Sequence, residues 1–291
     1  MRTTGLLVIV GALVAGLAIW LRTLPAVIDF LEQYPGKAPT PDETPVGIPA
    51  WVSWQHFFNA FLLVLIIRTG WVIRSKTRPP AFWQRTDHPV MRLTGRRQRL
   101  GIYHWAHLAL DALWVLNGIV YLTLLFATGQ WMRVVPTSWA VIPNALSAAL
   151  QYASLNWPTE NPWVYYNALQ QLSYFAMVFI AAPLAIITGL RLSPVWPLEG
   201  WLSRLLPEQG TRRLHGVVMY VFTSFIVLHI VLVFSTGALR NFNSMYAGND
   251  SPTSWLGFWV FLSSAVLTVA AWFVLTPPLL KRISANFGEV R

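Results

Sequence analysis

The stretch from Leu214 to about Phe234 is an almost unbroken apolar run that contains two histidines, His215 and His229. In lipid such a run has to be a helix, because a lone segment can satisfy its backbone hydrogen bonds there in no other way. Fourteen residues separate the two histidines. At about 3.6 residues per turn they return to nearly the same face, about 21 Å apart along the axis. That is most of the way across a hydrocarbon core of about 30 Å. An imidazole inside a membrane is costly, so two on one stripe imply a function.

Five other runs have similar length and apolarity, and together the six predict spans at about 5–24, 51–73, 103–127, 168–190, 214–236 and 255–277. With 55% hydrophobic and 11% charged residues, the expected fold class is all-α integral membrane, six transmembrane helices around a four-helix core. Arg2 ahead of the first run has the look of a secretory leader. However, the run from Gly5 to Leu21 is long for one and lacks a small-x-small cleavage site, so a retained anchor is expected. The expected divisions are an anchor helix and outer loop (1–50), the four-helix core (51–236), and an outer loop, sixth helix and tail (237–291).

The formal charge of +10 sits mostly in connectors, chiefly 74–99 and 191–213, and in the tail. That is the pattern of a cytoplasmic membrane face, and nucleic-acid binding is not expected. It predicts a bacterial cytoplasmic (inner) membrane protein with both termini in the cytoplasm. The outer loop at 128–167 is rich in Trp and Tyr, with a short helix expected at 144–154. An interfacial aromatic belt is its ordinary reading, and a docking platform for an extracytoplasmic partner the sharper one.

There is no cysteine. Disulfides, thiolate metal sites and covalent haem attachment are thereby excluded. Of the six histidines, His88 lies in a basic connector and is expected to be solvated. The alternating direction of the spans places His56 and His229 near the outer face, and His104, His107 and His215 near the inner face. The depths pair as His56 with His229, and His104 or His107 with His215. Two bis-histidine haem sites, one per leaflet, fit this pairing. Gly70 lies fourteen residues after His56, and Gly118 fourteen after His104. A glycine at the depth of the opposite haem permits close approach of a porphyrin, which favours His104 over His107, whose equivalent position is Tyr121.

The run Trp54-Gln-His56-Phe-Phe-Asn59-Ala60, with Thr69-Gly70 after it, resembles the first haem helix of bacterial di-haem cytochromes b. These are the b subunits of the cytochrome b561, nickel–iron hydrogenase, formate dehydrogenase and thiosulfate reductase type. The His215/His229 pair is similar to the last core helix of that family, and His104 to the single ligand of its second. The resemblance covers about 51–236 and implies non-covalent haem b and electron exchange between quinone and a redox partner subunit. The long outer loop resembles that of b subunits accompanying exported molybdenum-cofactor enzymes. A helix is added at each end of the core, and the first of them inverts it relative to the family pattern.

Two charged residues lie inside the spans, Arg68 in the second and Asp111 in the third. At about 2.5–3.5 kcal/mol each near the bilayer centre, both are expected to face the bundle interior. An ion pair between them is expected first, and a haem propionate on Arg68 second. In the latter case Asp111 and His107 would serve a quinone or proton path. Arg212 and Arg213 are further propionate candidates, with plain membrane anchoring an equal reading. The expected function is a membrane subunit carrying electrons through two haems ligated by His56, His104, His215 and His229. A stand-alone ferric or quinone reductase and a haem-free transporter or scaffold are the alternatives.

Overall fold

The computed structural model describes residues 2–75, 78–85, 99–157, 161–196 and 200–291. In chain order the helices are α1 (Arg2–Leu21), α2 (Pro25–Gln33), α3 (Ala50–Arg74), α4 (Ile102–Ala127), α5 (Trp131–Val134), α6 (Val141–Ala153) and α7 (Ala168–Ala176). They continue with α8 (Ala182–Leu192), α9 (Trp201–Leu205), α10 (Glu208–Ser235), α11 (Ala238–Phe242), α12 (Leu256–Val274) and α13 (Pro277–Ser284). A π-helical turn, Met177–Ala181, joins α7 to α8, and a second, Asn243–Ala247, follows α11. Three short strands are β1 (Phe82–Gln84), β2 (Leu100–Gly101) and β3 (Glu289–Val290).

Helices α3, α4, α10 and α12 and the continuous segment Ala168–Leu192 are each long and apolar enough to cross a membrane. Their large aliphatic side chains are widely exposed, Leu116 on α4 and Leu228 on α10 among them, as lipid-facing surfaces require. The protein is thus the expected all-α integral membrane fold. The first predicted span differs in detail. Val8–Leu21 and Pro25–Gln33 meet the criterion only together and are bent by 86°, so among the described residues the spans number five, or six with this pair. The bend has a local cause: Leu24 is extended at φ −78° and ψ 132°, and Pro25 opens α2. Proline lacks the N–H that would continue α1, and its ring drives the preceding residue out of helical conformation.

The chain forms two compact units. One comprises Ala50–Thr123, Ala181–Val227 and Trp259–Arg291. Its buried apolar residues include Leu62, Leu63 and Leu65 of α3 and Val218 and Phe222 of α10. The basic connector contributes β1, which lies between β2 and β3 in an antiparallel sheet of order β2-β1-β3. Under this sheet Ala81, Ile102, Ala106 and Leu280 are buried, with Trp83, Trp105 and Val290 packed against them. Helix α13 supplies Leu280 and turns Lys281 and Arg282 outward.

The other unit comprises Met1–Pro49, Leu124–Ile180 and Leu228–Phe258. Here α6, the helix expected at 144–154, packs on α7 and on α1. Asn167 caps α7 in a capping box with Gln170, which satisfies two of the first-turn donors. Arg133 is only 3% exposed. Its guanidinium donates to the carbonyls of Gly47, Pro162 and Trp163 and lies over the ring of Tyr166.

Asn243 ties the turn before α12. It donates to the carbonyls of Ser251 and Ser254 and accepts from the Gly257 amide. A Cβ at Gly257 would overlap the backbone of Phe242 and Asn243. Backbone has nowhere to go, so Gly257→Ala is expected to lower stability by about 1–3 kcal/mol, the usual range for overpacking. Thermal unfolding of the purified variant checks this, and an unchanged midpoint would show that the turn yields freely.

Candidate functional site

Helix α4 carries His107 and helix α10 carries His215, and their rings face each other with centroids 6.3 Å apart and planes at 78°. Each ring is held from behind by a threonine. The Oγ1 of Thr69 on α3 lies 2.9 Å from His107 Nδ1, and that of Thr188 on α8 lies 2.8 Å from His215 Nδ1. Both threonines are buried, at 0% and 1% exposure, so no bulk water competes for these bonds.

Counting protons shows which tautomer the threonines suit. A threonine hydroxyl has one proton and two lone pairs. Thr69 donates that proton to the carbonyls of Leu65 and Ile66, and Thr188 donates to those of Leu184 and Ala185. Hydroxyls so engaged suit acceptance from an Nδ1–H on each histidine. That tautomer has a free lone pair on Nε2, the form that binds a metal. Asp111 Oδ2 stands 3.7 Å from His107 Nε2, beyond hydrogen-bond reach.

A glycine follows each threonine and lies against the same ring. A Cβ at Gly70 would sit 3.4 Å from His107 Cε1, and one at Gly189 would sit 3.6 Å from His215 Cε1. The pattern Thr69-Gly70 on His107 thus repeats as Thr188-Gly189 on His215. Thr188 and Gly189 were not expected from the sequence, although the recurrent dipeptide in two spans was legible.

His104, expected to meet His215, is exposed. Three residues turn a helix by about 300°, so it stands roughly 60° away from His107 around α4, and it is His107 that reaches Thr69 and His215. Gly118 has no heavy atom within 4 Å of an added Cβ. Arg68 does not pair with Asp111; its guanidinium lies over Tyr103 and Trp272, 6.0 and 5.7 Å from the ring centres. Arg212 is exposed and bonded to Glu208, one turn earlier. Arg74, not singled out by sequence, lies over Tyr220 and comes within 3.0 Å of a Cβ built on Gly216, the residue after His215.

His56 is half-buried on α3, in the same unit as His107 and His215. His229 belongs to the other unit, half-buried, with its ring edge-on to Tyr174 at 6.3 Å. His88 lies outside the described residues.

No curated protein and no solved structure matches the chain. The sequence does match a family model, prokaryotic cytochrome b561, over residues 47–248, well over half of its length. The matched region begins just ahead of α3 and ends beyond α10, so it holds both facing histidines and His56 and His229; α1 and α12 lie outside it. The chain therefore belongs to the prokaryotic cytochrome b561 family and is a membrane b-type cytochrome that transfers electrons.

Proposed function

We propose that the chain holds two b haems, each between two histidines, and carries electrons between the quinone pool and a partner oxidoreductase subunit. The family implies haem b. The observation that carries the proposal is the His107–His215 pair, two imidazoles with ring centroids 6.3 Å apart, each with Nδ1 on a buried threonine hydroxyl. The donor set therefore suits an iron held by two neutral histidines, with His107 in place of His104 as the inner ligand.

When bound, haem supplies one-electron exchange at its iron. Two imidazoles leave no open iron position, which suits electron transfer rather than oxygen chemistry. Everything else falls to the protein. Thr69 and Thr188 hold the ring tautomers, Gly70 and Gly189 keep the ring edges clear, and Arg74, admitted by Gly216, is placed for an inner propionate. A second haem on His56 and His229 rests on sequence depth and on the fourteen-residue repeat along α10. The basic connectors support an orientation with both termini in the cytoplasm of a bacterial inner membrane. The aromatic outer segment supports docking of an extracytoplasmic redox subunit.

The test is a pyridine haemochrome assay with a reduced-minus-oxidised spectrum on purified protein. Two b haems per chain are expected. One haem would remove the outer site, and folded protein with no haem would overturn the proposal.

A further inference from the structure

We infer that Thr69 and Thr188 are positioning residues that tune the electron donation of His107 and His215, and so lower the reduction potential of the inner haem. This rests on the proposed bis-histidine site. A threonine inside a membrane helix ordinarily bonds back to a carbonyl of its own helix and needs no other partner. Both threonines make that bond, and each then uses its remaining lone pairs on a histidine in a neighbouring helix.

The two bonds reinforce each other. A hydroxyl that donates its proton to a carbonyl becomes a better acceptor, and in a water-free interior that polarisation is not screened. Accepting from Nδ1–H draws the hydrogen away from the ring and enriches the Nε2 lone pair, the effect that outer-shell acceptors have on metal-bound histidines. A richer donor stabilises the more highly charged oxidised iron. Both axial ligands receive the same treatment from the same side-chain type, which lowers the potential relative to a site whose histidines have no such acceptor.

The same residues fix ring orientation. Each imidazole is held at Nδ1 by the hydroxyl and flanked at Cε1 by the following glycine. The planes are kept near perpendicular at 78°. Crossed axial rings give oxidised low-spin iron a strongly anisotropic electron paramagnetic resonance signal, so orientation has its own readout.

The experiment uses the full chain purified with its haem, in Thr188→Val, Thr69→Val, Thr188→Ser and wild-type forms. Valine keeps the branched shape and removes only the hydroxyl, while serine restores it. Potentiometric titration of Thr188→Val is expected to move one haem component to more positive potential with haem content unchanged. Thr69→Val should move the same component, and Thr188→Ser should stay near wild type. The anisotropic signal should change in the valine variants and persist in the serine one. Haem loss in Thr188→Val rescued by Thr188→Ser also supports the inference, since the two differ in the hydroxyl. Valine variants that keep their haem at the wild-type potential would overturn it, as would equal haem loss in the valine and serine variants. A wild-type chain that binds no haem would instead sink the cytochrome proposal beneath it.

Discussion

Replacing His107 with alanine is expected to remove the proposed inner haem, and replacing His104 to leave the haem content unchanged. The difference follows from geometry that separates two residues one helical turn apart. His107 has its Nδ1 on Thr69 and its ring toward His215, while His104 is exposed. His215→Ala is expected to match His107→Ala, and His229→Ala to lose only the outer haem. The fold should survive the His107 change, because it leaves one threonine hydroxyl short of one hydrogen bond, about 1 kcal/mol. Haem per chain in the purified variants, from the pyridine haemochrome, decides the matter. Retention in His107→Ala with loss in His104→Ala would reverse the assignment and return the inner ligand to the exposed residue.

The second large effect is on stability. Arg133→Met should destabilise the protein by about 1–3 kcal/mol, the range seen when a buried acceptor loses its donor. The guanidinium is satisfied by carbonyls rather than a carboxylate, so its removal takes the donor from the Pro162 oxygen and leaves those of Gly47 and Trp163 to Gln130 and the Gly47 amide. Those oxygens come from two separate stretches of chain, and Arg133 from a third, so one side chain joins three loops. It also loses its contact over Tyr166, for which about 0.5–2 kcal/mol is a usual range. Arg133→Lys should fall between, because an ammonium cannot reproduce the planar fork. The midpoint of thermal unfolding in detergent reports this, and a variant that melts with the wild type would show that these loops are held by other contacts.

The spans were legible because lipid imposes a length and a polarity that few other structures share. The three strands were not: segments of two or three residues have no period to read, and β1 and β3 meet only through the tertiary fold. The preference for His104 came from a fourteen-residue spacing to Gly118. Eleven residues bring a helix to within about 20° of its start and fourteen to about 40°, so Gly118 shares its stripe more closely with His107. Thr188, and the contact of Thr69 with a histidine, escaped notice because a membrane threonine usually bonds only to its own helix. Arg68 was matched to the only nearby acid in the sequence, whereas the structure sets it over two aromatic rings. Each difference arose where neighbouring helices, rather than one helix alone, decide which face is used.

The sheet that joins the connector to residues 289–290 also sets an order of manufacture. The indole of Trp83 donates to the carbonyl of Ser284 across 201 residues of sequence. At about 5–20 residues per second, roughly 10–40 s of synthesis separate the two partners. Through that interval Ile102 and Ala106 lack Leu280, and β1 presents a bare edge to whatever strand or protease passes. Closure of this end of the molecule is thus a late event of biogenesis, and a chain stalled ahead of α13 carries its own mark of incompleteness at that edge.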